Sequence, residues 1–173
     1  MDARHPLPRL WLMTDERLGD ALMAAVDGLP EGAGIVFRHY RTEPHLRRAL
    51  FDDARARRGD LLVLLAGTAE EAQEWGADGS HGRGPGAGLR TAPVHDPAEL
   101  REAEEAGAAA VFVSPVFTTR SHPGAAVLGT NGFEALAAEA RVPAIALGGM
   151  NAERFALLRG AYGWAAIDAW LEA

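Results

Sequence analysis

The chain has 173 residues, 48% hydrophobic and 24% charged, with a net charge of −7, twenty glycines, ten prolines and no cysteine. Without a thiol there is no disulfide scaffold, thiolate zinc site or cysteine nucleophile, so any chemistry falls to His, acids, hydroxyls, Arg and backbone amides. All 17 basic residues are arginine, which excludes a Schiff-base lysine and a lysine phosphate clamp.

The acidic balance argues against a nucleic-acid surface. No apolar run approaches the roughly 20 residues needed to span a bilayer, and Met1 to Arg9 lacks the apolar centre of a secretory signal. The expectation is a cytoplasmic protein that binds neither nucleic acid nor membrane, with homo-oligomerisation left open.

Short apolar runs alternate with amphipathic segments, the pattern of repeated βα units on a parallel sheet. The expected strands are Leu10–Thr14, Gly34–Tyr40, Asp60–Ala66, Gly79–His81, Leu89–Val94, Ala109–Phe117, Ala144–Gly148 and Trp164–Asp168. Several are almost wholly apolar, as strands covered on both faces are. From Glu43 onward, helical spacing puts most of Arg47, Arg48, Arg55, Arg57 and Arg58 on a solvated face. Thr68 with Glu71, and Asp96 with Glu99 after Pro97, are spaced like reciprocal capping boxes. Asn151 is expected to cap a helix from Ala152 to Leu158, and Gly76, Gly107 and Gly160 are expected helix stops. Trp11, Trp75, Trp164 and Trp170 read as packing residues. No linker, low-complexity tract or charge block divides the chain, so residues 1–173 read as one domain.

Eight strands in this order predict a closed (β/α)8 barrel, although such barrels typically run to about 250 residues. The missing length can be located. Only Gly82 to Gly88, GRGPGAG, separates the fourth and fifth strands, whereas a parallel crossover normally takes a dozen or so residues. The helix after the fourth strand is therefore expected to be absent or a single turn. The alternative is an open flavodoxin-like sheet, whose usual five strands are too few for this pattern.

In a barrel the site lies at the C-terminal ends of the strands. Here those ends carry Thr14 and Asp15, Arg38 to Tyr40, Ala66 and Gly67, His81, His95, Ser114 to His122, Gly148 to Asn151, and Asp168. The segments GAAAVFVSPVFTTRSHPG (Gly107–Gly124) and VPAIALGGMNAERFALLRGAYGWAAIDAW (Val142–Trp170) resemble the thiamine phosphate synthase and TenI family. So do LWLMTD (Leu10–Asp15), FRHYR (Phe37–Arg41) and GADGSHG (Gly76–Gly82), so the resemblance extends in order along nearly the whole chain.

The resemblance implies an enzyme that joins a hydroxymethylpyrimidine diphosphate to a thiazole phosphate and releases diphosphate with the help of Mg2+. Diphosphate leaves first, and the thiazole nitrogen captures the resulting pyrimidine cation. Such chemistry needs cationic donors and a carboxylate-held metal around the departing polyanion.

Carried over residue by residue, the resemblance makes Arg38 the diphosphate-clamping arginine of a Gln-x-Arg-x-Lys strand motif. Val36 and Tyr40 replace its glutamine and lysine, and Arg41 is a candidate to reach in. Ala66-Gly67 replaces an Asn-Asp pair, and no acid occurs between Asp78 and Asp96, so neither magnesium carboxylate is supplied and no residue is assigned to a metal. Thr119, Ser121 and His122 match a Thr-x-Thr-Lys run after the sixth strand. There the hydroxyls would bind substrate, and His122 would act as a donor whose charge depends on pH near its usual pKa of about 6.5. Arg120 adds a permanent charge.

Gly148 and Gly149 match a Gly-Gly pair whose bare backbone can approach phosphate. Asp168 replaces a phosphate-binding serine. A carboxylate about 4 Å from a phosphate oxygen is repelled by roughly 4 kcal/mol at an effective dielectric of 20, unless it is protonated, arginine-paired or turned away. His81 and His95 close the fourth and fifth strands and are candidate rim contacts. TenI-type thiazole tautomerases carry a histidine where Pro115 stands, so that activity would need His122 or His81 instead. The remaining alternative is a catalytically silent barrel that binds a ligand or a partner.

Overall fold

β1 (Leu10–Met13) pairs in parallel with β2 (Gly34–Phe37) on one side and with β8 (Gly163–Ala166) on the other, and the second pairing closes the sheet on itself. This is a computed structural model describing residues 7–121 and 123–171. The ring is completed in chain order by β3 (Leu62–Ala66), β4 (Gly79–His81), β5 (Leu89–Val94), β6 (Ala110–Val113) and β7 (Ala144–Leu147), all parallel. The fold is a (β/α)8 barrel, and the open sheet is excluded.

The helices are α1 (Leu22–Asp27), α2 (Pro44–Arg57), α3 (Ala69–Trp75), α4 (Pro97–Glu105), α5 (Gly129–Glu139) and α6 (Ala152–Phe155). None follows β4: residues 82–88 run directly into β5, as the short GRGPGAG segment requires. No helix among the described residues is long and apolar enough to cross a membrane.

The strand cores are buried on both faces. Inside the barrel the Trp11 indole meets Phe112 edge-on at 5.3 Å, and Phe112 in turn meets His81 at 4.9 Å. These contacts join strands that are not neighbours in the ring, so they cross its interior. Gly34 makes room for the indole, because a Cβ there would lie 2.2 Å from the Trp11 ring. Outside the ring, Phe37 packs on Phe51 of α2 at 5.6 Å, and Phe51 packs on Trp75 of α3 at 5.3 Å. Burying an aromatic of this size contributes about 1.5–3 kcal/mol. Trp164 and Trp170 stack at 5.0 Å, so all four tryptophans are packing residues.

Local signals hold with amendments. Thr68 caps α3 by accepting from the Glu71 amide, but the Glu71 carboxylate turns to Arg47 rather than back to Thr68, so the box is only half formed. Asp96 accepts from the Ala98 and Glu99 amides, while Glu99 reaches one residue further back, to the His95 amide. Asn151 caps α6, which ends at Phe155 rather than Leu158. Beyond it Leu157 and Leu158 bond back to Arg154 and Phe155, a tighter i→i+3 winding, and Leu157 is exposed. Gly76 and Gly107 stop α3 and α4 with positive φ, whereas Gly160 closes the turns after α6 rather than the helix itself.

Arg47 departs from the expected solvated face. Its guanidinium donates to the carbonyl oxygens of Arg38 and Ala66 and to Glu71 Oε1, each at 2.9 Å. The stem of an arginine is long enough to cross from a helix to the strand ends, and unpaired carbonyls there attract it. The other four arginines follow the expectation, paired with Asp52, Asp78, Asp27 and Asp60 near the surface.

Candidate functional site

The C-terminal strand ends surround a cavity of about 690 Å³. Arg38, Thr119, Ser121, Gly148, Gly149, Asp168 and His81 all line it, together with His95 and Arg120. His122 lies outside the described residues. Arg41 is not among the lining residues; its amide donates to Glu16 Oε1 at 2.6 Å, so the side chain expected to replace the missing lysine does not reach in.

Arg38 is placed by the end of β1. Its Nε donates to the Thr14 carbonyl oxygen at 2.8 Å, its Nη2 to Asp15 Oδ2 at 3.3 Å, and its amide to Thr14 Oγ1 at 2.9 Å. Nη1 has no hydrogen-bond partner among the described residues, leaving one face of the fork for a ligand. Burial pushes the Arg38 pKa down and Asp15 opposes the shift, yet a guanidinium stays charged throughout the physiological range. The next residue, His39, adopts φ 44° and turns its ring inward, 3.0 Å from Thr14 Oγ1 and stacked on Phe37. Burial lowers the His39 pKa.

His81 forms part of the cavity floor. Its Nδ1 lies 2.8 Å from Thr91 Oγ1, and burial, aided by the nearby Arg38 charge, pushes its pKa down to about 3. It is therefore a neutral hydrogen-bonding group at physiological pH. His95 Nδ1 lies 2.7 Å from the Ser114 carbonyl oxygen, which sets its ring against the end of β6.

The Gly148–Gly149 turn packs on the β6 loop. A Cβ on Gly148 would lie 2.8 Å from Pro115 Cα, and one on Gly149 would lie 2.4 Å from the Thr118 carbonyl oxygen. Both residues have positive φ, so the pair is required by close backbone packing whatever binds nearby. Arg154 donates to the Gly149 carbonyl oxygen and lies 5.0 Å over the Phe117 ring.

Asp168 is arginine-paired. Arg17 meets it with two parallel bonds, Nε to Oδ1 and Nη2 to Oδ2, both 3.2 Å, and Arg120 Nε approaches Oδ2 at 3.4 Å. The third Arg17 nitrogen donates to Ser121 Oγ at 2.8 Å. Arg17 is not legible as a site residue in the sequence, because it follows β1 in a 3-10 turn kinked at Gly19 and meets Asp168 only through barrel closure. Arg154 also escapes the sequence reading, although its contact with the Gly149 carbonyl is local, within the turn that leads into α6. The signal that is present is compositional: arginine is the only fixed side-chain cation in the chain.

Magnesium does not fit these residues. At the end of β3, the Ala66 carbonyl is taken by Arg47 and Gly67 has no side chain, while the nearby Glu71 carboxylate is bonded to Arg47. Among the described residues no group of three His, Asp or Glu side chains could hold a metal ion. The charge facing the cavity comes instead from Arg17, Arg38, Arg120 and Arg154, set against Asp168 as the one lining carboxylate among the described residues.

Comparison with known proteins gives consistent results. The family model described as thiamine monophosphate synthase matches residues 91–170. A curated relative described as putative thiamine-phosphate synthase 2, from Aquifex aeolicus (strain VF5), is 28% identical over 96% of this chain and 99% of its own length. The solved thiamine phosphate pyrophosphorylase of Pyrococcus furiosus superposes with a TM-score of 0.72 at 25% identity, covering 96% of this chain and 88% of that one. A 2-keto-3-deoxy-6-phosphogluconate aldolase of Zymomonas mobilis ZM4 shares the barrel alone, with a TM-score of 0.64 at 15% identity over 95% and 82% of the two chains. Strand order, the β6 and β7 loops and these matches agree in making the chain similar to the thiamine phosphate synthase and TenI family.

Proposed function

We propose that the protein joins a hydroxymethylpyrimidine diphosphate to a thiazole and releases diphosphate. The observation carrying this reading is the ring of four arginines around one strand-end cavity in a chain of net charge −7. Concentrating fixed cations in one hollow of an acidic molecule serves to draw in and hold a polyanion. Arg38 is the group nominated to hold diphosphate, since its fork is braced on one side and open on the other. Guanidiniums aimed at the leaving group stabilise charge that grows as the C–O bond breaks. Thr119 and Ser121 supply neutral hydrogen-bonding groups, and Gly148 and Gly149 supply backbone at the opposite wall. The named activity of the Pyrococcus furiosus and Aquifex aeolicus relatives supports the same assignment.

A second reading, a barrel that binds such ligands without turning them over, is favoured by the Ala66–Gly67 end of β3, which offers no metal ligand. One experiment separates the two. The protein is titrated with hydroxymethylpyrimidine diphosphate, then mixed with thiazole substrate, with and without magnesium, and diphosphate is measured. Release above the protein-free control supports the synthase. Binding without release supports the silent barrel, and absence of binding overturns both. A tautomerase working through His81 is disfavoured, because a group with a pKa of about 3 is a poor proton carrier near neutrality.

A further inference from the structure

We propose that the cavity takes a diphosphate ester in its metal-free form, its arginines supplying the positive charge that a divalent cation would otherwise bring. This inference rests on the synthase reading and specifies the ionic form of its donor substrate.

A hard divalent cation that bridges a polyanion to a protein is held by carboxylates. Among the described residues, the carboxylates around this mouth are engaged elsewhere. Asp15 accepts from Arg38 and from the Arg17 amide, Glu71 from Arg47, and Glu99 from Arg83 and the His95 amide. Asp168, which lines the cavity, accepts from Arg17 and Arg120. A Cβ on Gly67 would lie 2.5 Å from Glu71 Oε2, so the Glu71–Arg47 pair fills the space into which a ligand-bearing side chain at the end of β3 would project.

The cations, by contrast, keep donors in reserve. A guanidinium has five N–H groups. Arg17 uses three of its own, on Asp168 and Ser121, and keeps two. Arg120 is bonded through Nε alone among the described residues, and Arg38 keeps Nη1. Asp168 sits between Arg17 and Arg120 and offsets the repulsion between these two like charges. On the other side of the mouth the charge of Arg38 is felt as far as His81, at the end of β4.

The charges also match. Four lining arginines set against one lining carboxylate leave three net positive charges, and a fully ionised diphosphate monoester carries about three negative ones. Its magnesium complex carries only about one, and it would bring a dication towards guanidiniums with no carboxylate to receive it. The step closes without a metal. The C–O bond breaks and its electron pair leaves with diphosphate, which gains one negative charge, while the thiazole nitrogen lone pair forms the C–N bond and leaves one positive charge on the product ring. Planar N–H pairs on the non-bridging oxygens stabilise the charge that accumulates on the leaving group.

Calorimetry on the intact protein tests this, with sodium diphosphate, the leaving group itself, as the probe in EDTA and in excess magnesium at matched ionic strength. The metal-free anion is expected to bind at least about tenfold more tightly than the magnesium complex. Arg38→Ala is expected to reduce that ratio about threefold or more, since losing a cation penalises the more highly charged form, while Arg58→Ala leaves it unchanged. In parallel, release of diphosphate from hydroxymethylpyrimidine diphosphate and thiazole substrate is expected to persist in EDTA and to slow as magnesium is added. Equal or tighter binding of the magnesium complex, or release that requires magnesium, overturns the metal-free assignment and leaves the synthase reading intact. A preference for the free anion with no release under either condition supports the metal-free site and overturns the synthase reading. If diphosphate binds under neither condition, both fall.

Discussion

Arg47 reaches from α2 to the backbone of Arg38, donating from Nε to its carbonyl oxygen at 2.9 Å, and the same guanidinium holds the Ala66 carbonyl of the adjacent strand. One side chain thus fixes the ends of β2 and β3 relative to each other, directly behind the candidate diphosphate clamp. Arg47→Met keeps much of the apolar stem and strands both carbonyls, at a cost of about 1–3 kcal/mol in urea unfolding. Arg48→Met removes a surface pair with Asp52 and the guanidinium lying 5.3 Å over the Trp75 ring, and should cost at most about 1 kcal/mol. Equal losses in the two variants would show that Arg47 has no bracing role.

Arg38→Ala is expected to weaken inorganic diphosphate binding by about tenfold or more, because it removes a charge that faces the cavity. Arg58, paired with Asp60 away from the cavity, serves as the control, and Arg58→Ala should leave the affinity unchanged. Isothermal titration reads both. Matching losses would mean that diphosphate senses overall charge rather than this clamp.

His81 gives a pH signature. Its pKa is about 3 in the fold and near 6.5 in an unfolded chain, so between these values the unfolded state binds the extra proton. Stability is therefore fully present above about pH 6.5 and falls as pH drops towards 3, by up to about 1.4 kcal/mol per pH unit. Burial of His39 acts in the same direction. Denaturant unfolding at pH 4.5 and 7.5 should show a smaller acid loss for His81→Gln than for wild type, and parallel losses would refute the assignment.

Gly149→Ala forces a Cβ to within 2.4 Å of the Thr118 carbonyl oxygen at a φ of 60°. It is expected to destabilise by about 1–3 kcal/mol, the range for strained backbone substitutions. A Cβ on Gly59 would meet no atom within 4 Å, and Gly59→Ala should be near neutral. Thermal melts of both variants decide whether packing alone demands the glycine.

Magnesium should leave the melting temperature of the ligand-free protein unchanged, since a ligand stabilises only in proportion to its affinity for the folded state. A rise of several degrees in millimolar magnesium would reveal carboxylate ligands beyond those described.

The barrel is legible in the sequence because strands buried on both faces write themselves as continuous apolar runs, and because GRGPGAG is too short to hold a helix. The strand-end rule then nominates Arg38, His81 and Asp168, which the fold brings round one cavity. Arg17 and Arg47 stay hidden for a physical reason. Each acts through a long, flexible stem on a partner distant in sequence, and no local periodicity records where a guanidinium will land. The length of α6 is overestimated from sequence because apolar spacing through Leu157 and Leu158 suggests a longer helix, yet Leu157 stays exposed.

The all-guanidinium character of the described mouth has a consequence beyond affinity. Amine-directed acetylation, glycation and aldehyde chemistry have no side-chain target there, because no lysine exists to be modified. Guanidiniums also do not deprotonate in alkaline media, so the attraction for anions should persist where an ammonium-based pocket would begin to fade. Control over this hollow must then come from the occupant or from its neighbouring carboxylate, rather than from switching off the cations.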